Sequence, residues 1–220
     1  AFPDSPGITC QWTRTHNSRR RLRRKRLWSG HLDVRPHKMP ALLLSTLSKV
    51  ALPGVAIGLL LFASKRKKFS LVEDIGITPP KIWPSAVFLI AWIFLIAVEE
   101  YATSGITDAH AKPWPAYPTH IVALRVLAIG FLGPIAEELG FRGLLLAWLR
   151  RSRLGIFGAI VLTAALWSVL HFEYAPELLA LIFLDGIVLG CARQVSGSLF
   201  LPITMHIGGN LFSIYQSLTQ

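Results

Sequence analysis

Charged residues are scarce in this chain of 220 residues, since only 16% are Asp, Glu, Lys or Arg, whereas 52% are hydrophobic. That balance is too apolar for an ordinary soluble domain. Cysteine is scarce as well, because the chain has only Cys10, near the amino terminus, and Cys191, near the end of an apolar segment. Two such cysteines do not support a disulfide framework or a metal site built from thiolates. The composition instead indicates one compact membrane domain of several helices.

Acidic residues are outnumbered by Lys and Arg, 12 to 23, and most of the excess lies at the amino terminus. Residues 1–38 hold ten basic and two acidic side chains, which gives +8 of the chain's formal charge of +11. This segment has no apolar run of the kind found in a signal peptide. We interpret it either as a disordered basic arm that contacts anionic lipid or nucleic acid, or as sequence upstream of a biological start near Met39. No nucleic-acid partner is expected for the domain formed by residues 39–220.

Apolar segments of about the length that crosses a bilayer recur through the rest of the chain. Six are predicted as transmembrane helices, at residues 41–63, 82–98, 119–149, 154–172, 176–192 and 198–218. The predicted fold class is therefore an all-α, polytopic membrane helix bundle. The basic loops Lys65–Lys68 and Arg150–Arg153 are two spans apart, so both belong on the cytoplasmic side by the positive-inside rule. We expect a multi-pass protein of an inner (plasma) membrane, with a water-accessible cavity that opens toward the cytoplasm.

Two adjacent glutamates inside the third segment mark the candidate site. Glu137 and Glu138 lie in an apolar run, where a charge costs about 2.5–3.5 kcal/mol on insertion scales and is seldom present without a role. Glu138 and Arg142 are one helical turn apart, so they are predicted to form an ion pair. Glu137 is rotated about 100° from Glu138 and lacks that partner, which leaves its carboxylate available for chemistry.

Polar side chains in the later segments complete the candidate site. His206 and Asn210 are four residues apart and share a helical face, and Trp167 and His171 have the same spacing. Together with Glu137 they supply a carboxylate, two imidazoles and an amide from three helices. Such a set can activate water and stabilise the oxyanion that forms on an amide carbonyl. Alternatively, Glu137, His171 and His206 can bind one divalent metal ion such as zinc and leave a position open for water.

These motifs resemble those of the CAAX protease and bacteriocin-processing family of intramembrane proteases, also called the Abi family. The resemblance extends over residues 70–218 and rests on three motifs in the family's order: Glu137-Glu138 with Arg142, Trp167 with His171, and His206 with Asn210. The family usually has phenylalanine where this chain has Trp167, so an aromatic side chain is kept beside His171.

The resemblance implies a role for each matching residue. Glu137 would be the general base that activates water, assisted by His171. His206 and Asn210 would stabilise the tetrahedral oxyanion, unless His206 binds a metal ion. The residues with structural roles at the site would be Glu138, Arg142 and Trp167. The implied activity is hydrolysis of a peptide bond in a membrane-associated or prenylated substrate, either assisted by one divalent metal ion or metal-free.

Two other classes of function use the same residues. The first is a non-catalytic membrane protein that binds a peptide or gives immunity to a bacteriocin. The second is a metal or proton transporter in which the buried acids and histidines are ion ligands. A lone buried histidine or asparagine more often only packs against neighbouring helices, so the prediction of a site depends on the co-occurrence of all three motifs.

Glu99, Glu100 and Asp185 are three of the ten acidic residues outside these motifs. Glu99-Glu100 has no arginine one turn later and is predicted to be a solvated pair at the end of a span. Asp185 lies within a predicted span and is expected either to orient a histidine of the site or to pair with Arg125.

Overall fold

The computed structural model describes residues 39–66, 70–103, 117–172 and 174–219. The helical domain is the compact unit Pro40–Gln220. The basic segment predicted at residues 1–38 lies outside the described residues, so the expectation of disorder there stays a prediction.

Within the described ranges the chain forms six helical elements and no β-strand, which confirms the predicted all-α fold class. The helices are α1 (Met39–Arg66), α2 (Ile82–Thr103), α3 (Thr119–Leu149), α4 (Gly155–Val169), α5 (Pro176–Ser196) and α6 (Phe200–Thr219). Three of them, α2, α3 and α5, are long and apolar enough to cross a membrane. Shorter apolar stretches lie in α1, at Leu43–Leu59, and in α4. The count of six crossings stays a prediction.

The long helix α3 is not uniform along its length. Two π-helical segments, Val126–Leu132 and Leu139–Leu145, flank a short α-helical segment, Gly133–Glu138, that carries both glutamates. Pro134 lies at the start of that segment, where it has no N–H to donate to the preceding turn. A π-helical turn accommodates extra residues, so the side chains that follow it are rotated relative to those of a regular α-helix. Helical segments of this kind are frequent at functional sites.

Small residues let α4 and α5 pack closely. A Cβ added at Gly186 would lie 2.8 Å from Cβ of Ala164, and one added at Gly190 would lie 3.0 Å from Cγ2 of Ile160. Gly186 and Gly190 are one turn apart, the spacing typical of close contacts between membrane helices. The same close approach leaves the carbonyl of Gly186 within reach of the Arg142 side chain.

The connections that follow α1, α3 and α5 meet at one end of the domain. The Leu199 N–H, just before α6, donates to the carbonyl of Gly76 at 2.8 Å. Asp74, in the segment before α2, forms an ion pair with Arg151, which follows α3. Consecutive helices therefore alternate in direction, as the predicted order of segments requires.

The largest buried apolar cluster joins α2, α4, α5 and α6. Its buried members are Trp92, Trp167, Leu189, Ala192, Leu201 and Met205. Large apolar side chains also lie on the outer surface, where Trp83, Phe157 and Tyr101 are 82%, 83% and 85% exposed. A soluble protein seldom exposes so much apolar surface, and the outer face is therefore suited to contact with lipid.

Candidate active site

Glu138 and Arg142 form the buried ion pair that their spacing predicts. Arg142 Nη1 donates to Glu138 Oε1 at 2.7 Å, and both side chains are fully buried. Arg142 Nη2 donates to the carbonyl of Gly186 at 3.1 Å, and the guanidinium lies 4.6 Å from the ring centroid of Trp167. The two charges are thus paired, and Glu138 Oε2 and Arg142 Nε are buried without a hydrogen-bond partner among the described residues. Through these contacts the pair connects α3 with α4 and α5.

His206 of α6 reaches both glutamates of α3. Its Nδ1 lies 3.0 Å from Glu138 Oε1, and its Nε2 lies 3.9 Å from Glu137 Oε2. Since an ionised carboxylate can only accept, Nδ1 carries the proton that is shared with Glu138. The other ring nitrogen is therefore directed toward Glu137. Glu138 orients a histidine of the site in addition to its structural role.

Glu137 is the more accessible of the two acids, with 34% of its side chain exposed. Its Oε2 accepts a hydrogen bond from Trp167 Nε1 at 2.5 Å. The sequence predicts only a structural role for Trp167, and the phenylalanine that is usual in the family could not donate this bond. The substitution therefore acts on the carboxylate as well as on the packing. The sequence feature that could have indicated this hydrogen bond is the indole N–H, because a buried tryptophan usually donates it to an acceptor.

His171 lies at the edge of the cluster. Its Nδ1 is 2.9 Å from the carbonyl of Trp167, and the two rings pack edge to face with centroids 5.3 Å apart. The Trp167 ring makes a similar contact with His206, at 5.2 Å. No hydrogen bond or ion pair joins the described side chains of His171 and Glu137. Assistance of Glu137 by His171 stays a prediction.

Asn210 fixes α6 against α3. Its Nδ2 donates at 2.8 Å to the carbonyl of Ile129, which lies in the first π-helical segment. The amide thereby satisfies a backbone oxygen close to the site. An asparagine side chain has two N–H donors, so one remains for an oxyanion. The predicted oxyanion role of Asn210 is not tested by this arrangement.

The side chains predicted as metal ligands do not form a group of three. In the part of the chain that the structure describes, no three or more His, Cys, Asp or Glu side chains are grouped so that they could hold a metal ion. Glu137 and His206 approach one another to 3.9 Å, whereas His171 Nδ1 lies against a backbone carbonyl. As arranged, these residues do not fit a three-ligand site, and the divalent metal ion stays a prediction.

Asp185 of α5 lies close to the ion-paired residues. It interacts electrostatically with His206 and Arg142, and also with Glu99 of α2. Its Oδ1 is buried without a hydrogen-bond partner among the described groups. The prediction that Glu99 and Glu100 form a solvated pair is right for Glu100, which is exposed, and wrong for Glu99, which is partly buried.

Arg125 of α3 does not pair with Asp185, which was one of the two predicted arrangements. Its Nε and Nη2 donate to Thr46 Oγ1 at 3.2 Å and Ser45 Oγ at 3.1 Å. The guanidinium also lies 4.7 Å from the ring centroid of Tyr117. Arg125 therefore connects α3 with α1, away from the two glutamates.

Comparison with known proteins confirms the resemblance. Residues 118–212, which include all the candidate site residues, match the family model of type II CAAX prenyl endopeptidase Rce1-like proteins. A protein of Escherichia coli, described as an uncharacterized 24.3 kDa protein, is 32% identical over 123 residues, which are 55% of this chain and 53% of that protein. The chain thus spans about half the length of the curated relative it matches. No solved structure matches it.

Proposed function

We propose that the chain is an intramembrane endopeptidase that uses water activated by Glu137, because residues 118–212 match the family model of type II CAAX prenyl endopeptidase Rce1-like proteins. The observation that supports this most strongly is the approach of the accessible Glu137 carboxylate to His206 Nε2, at 3.9 Å. Glu137 of α3 and His206 of α6 are distant in sequence but lie close together. Glu138 accepts a hydrogen bond from the other ring nitrogen of His206, Nδ1, and so fixes the orientation of the imidazole.

The gap between Glu137 and His206 suits a water molecule. At 3.9 Å the carboxylate oxygen and the ring nitrogen are too far apart for a direct hydrogen bond, but a water beside them can contact both. Glu137 takes a proton from this water as its oxygen attacks the peptide carbonyl. When the C–N bond breaks, Glu137 returns the proton to the leaving amine, so that the products are a new carboxylate and a new amino terminus.

Glu138 sets the direction of the imidazole during this reaction. Its carboxylate accepts from Nδ1 of His206, so a protonated His206 would direct its Nε2–H at the oxyanion of the tetrahedral intermediate. Asn210 lies one turn further along α6 and contributes its second amide N–H to the same oxyanion. Trp167 holds Glu137 Oε2 in place by its indole N–H.

The substrate has to enter the helical bundle. Glu137 is 13 residues from Arg150, which corresponds to about 20 Å along α3 from the end where the basic loops lie. We propose that this end faces the cytoplasm, because of its lysines and arginines, and that the substrate is a membrane-associated or prenylated peptide that enters from there. The apolar outer surfaces of the helices fit such a location.

Comparison of membrane proteomes tests the proposal. Cells that carry the parent chain, no chain, or the Glu137→Gln variant are compared for peptide cleavages in membrane proteins. We expect at least one cleavage that needs the parent chain and is lost with Glu137→Gln. If Glu137→Ala/His206→Ala restores every effect of the parent chain, the protein acts by binding a peptide without hydrolysis, and the proposed activity is wrong.

A further inference from the structure

A second charged cluster lies at the end of the domain where the connections meet, apart from Glu137 and His206. A shallow depression of the surface there, which encloses no cavity, is lined by Arg142, Arg150, Arg193, Asp74 and Gln194, and is called the arginine cleft. Arg150 and Gln194 are partly or fully exposed and form its mouth, whereas Arg142 and Arg193 are 1% and 6% exposed and form its floor.

Asp74 is the only carboxylate among the described residues that line the arginine cleft, and both of its oxygens already have partners. Asp74 Oδ1 pairs with Arg151, and Asp74 Oδ2 accepts from the Ser70 N–H at 2.9 Å. Arg142 is paired with Glu138 on the other side. Two guanidinium groups, those of Arg150 and Arg193, therefore remain without an ion pair among the described residues.

Arg193 lines the arginine cleft and has one N–H donor, Nε, without a partner among the described residues. Its Nη2 lies 3.4 Å from the carbonyl of Asp74, which is a long contact, and its Nε is buried with no partner in the described part of the chain. The guanidinium lies against Gly76, whose positive φ of 80° and missing Cβ make the space for it. Arg142 Nε, on the same floor, is likewise buried and unpartnered. Leaving such donors unsatisfied costs stability.

The positive charges of the cleft repel one another. Arg150 and Arg193 line the same cleft, so their like charges are unfavourable for one another. An anion bound at the mouth of the cleft would offset this repulsion. The fork of N–H donors on a guanidinium fits the oxygens of a phosphate group, and basic recesses between membrane helices on the cytoplasmic side are suited to lipid head groups.

We propose that the arginine cleft binds a phosphate group through Arg193 and Arg150. The same chemistry is offered by the head group of an anionic phospholipid and by free inorganic phosphate. The cleft opens at the basic end of the domain, where a lipid phosphate in the predicted cytoplasmic leaflet would reach it. This proposal does not depend on peptide cleavage, because the cleft shares only the side chain of Arg142 with the candidate active site.

Native mass spectrometry of the purified full-length chain, released from neutral detergent micelles, tests the proposal. The probes are phosphatidylglycerol, a diacylglycerol with the same acyl chains but no phosphate, and inorganic phosphate. We expect phosphatidylglycerol to be retained and the diacylglycerol not. Loss of a charge-assisted hydrogen bond should weaken retention about tenfold in Arg150→Gln and in Arg193→Gln.

Arg153→Gln is the matched control, because it removes the same charge from an exposed position in the loop after α3. Its affinity should equal that of the parent chain. Arg150→Gln is the decisive variant, since its side chain makes no hydrogen bond within the described residues and its removal should not disturb folding. If inorganic phosphate displaces the lipid, the ligand is free phosphate; if it does not, the ligand is the lipid head group. Equal retention of both lipids, or equal weakening by Arg153→Gln and Arg150→Gln, would overturn the proposal.

Discussion

Replacement of Glu138 by glutamine should lower the stability of the protein, whereas replacement of Glu137 by glutamine should remove the catalytic base with little loss of stability. In Glu138→Gln the side chain keeps its shape but loses the charge that compensates Arg142, and both side chains are fully buried. Removal of one partner from a buried ion pair costs about 3–5 kcal/mol, because the other charge is left uncompensated. For a domain of this size each kcal/mol lowers the melting temperature by about 2–4 °C. We therefore expect Glu138→Gln to melt about 6–20 °C below the parent chain.

Glu137→Gln is the matched comparison for that variant. Glu137 is 34% exposed and has one hydrogen bond, from Trp167, which a glutamine carbonyl can still accept. Its stability should fall by no more than about 1 kcal/mol, the net worth of an ordinary hydrogen bond. The two variants thus differ by one position in the chain and by several kcal/mol in the free energy of unfolding.

Thermal unfolding of the purified proteins in detergent, followed by tryptophan fluorescence, measures this difference. Arg142→Met and the double variant Glu138→Gln/Arg142→Met complete a double-mutant cycle that isolates the pair. The double variant should be more stable than the sum of the two single losses predicts. If Glu138→Gln melts at the temperature of the parent chain, or if Glu137→Gln is destabilised as strongly as Glu138→Gln, then the assignment of Glu138 to the ion pair and of Glu137 to the chemistry is wrong.

Three further predictions follow from individual contacts. Gly76→Ala should lower the melting temperature more than Gly155→Ala does. Both glycines have a positive φ, which costs alanine about 1–2 kcal/mol. Only at Gly76 would the new Cβ also overlap the Arg193 side chain. Asn210→Ala should lower the free energy of unfolding by about 1–2 kcal/mol, because the carbonyl of Ile129 loses its donor; an unchanged melting temperature would contradict that bond. Dialysis against a chelator should leave peptide cleavage unchanged, whereas a loss that zinc restores would show that a metal ion belongs to the site.

The features that the sequence predicts correctly are those that depend on local spacing. The ion pair of Glu138 and Arg142 follows from one helical turn, and the helical elements follow from the lengths of the apolar segments. The alternation of the helices follows from the order of those segments and is confirmed by the contact of Asp74 with Arg151. None of these depends on how distant helices rotate about their own axes.

The contacts that the sequence could not predict depend on that rotation. His206 is 68 residues from Glu138 along the chain, and the two π-helical segments of α3 shift the directions of the side chains between them. The hydrogen bond from Trp167 to Glu137 requires the two side chains to lie at the same depth in the helix bundle. The predicted boundaries of the apolar segments do not determine that depth. The electrostatic interaction of Glu99 with Asp185 could not be predicted for the same reason.

Hydrolysis in ¹⁸O-labelled water tests the central claim most directly. The cleavage found by the proteome comparison is repeated with the purified parent chain, Glu137→Gln, and Glu100→Gln, an exposed glutamate of α2 that serves as the control. The account predicts one ¹⁸O in the new carboxylate, an unchanged rate for Glu100→Gln, and a rate about 10²–10⁴ lower for Glu137→Gln, as loss of a general base should give. Cleavage by Glu137→Gln at the rate of the parent chain would contradict it.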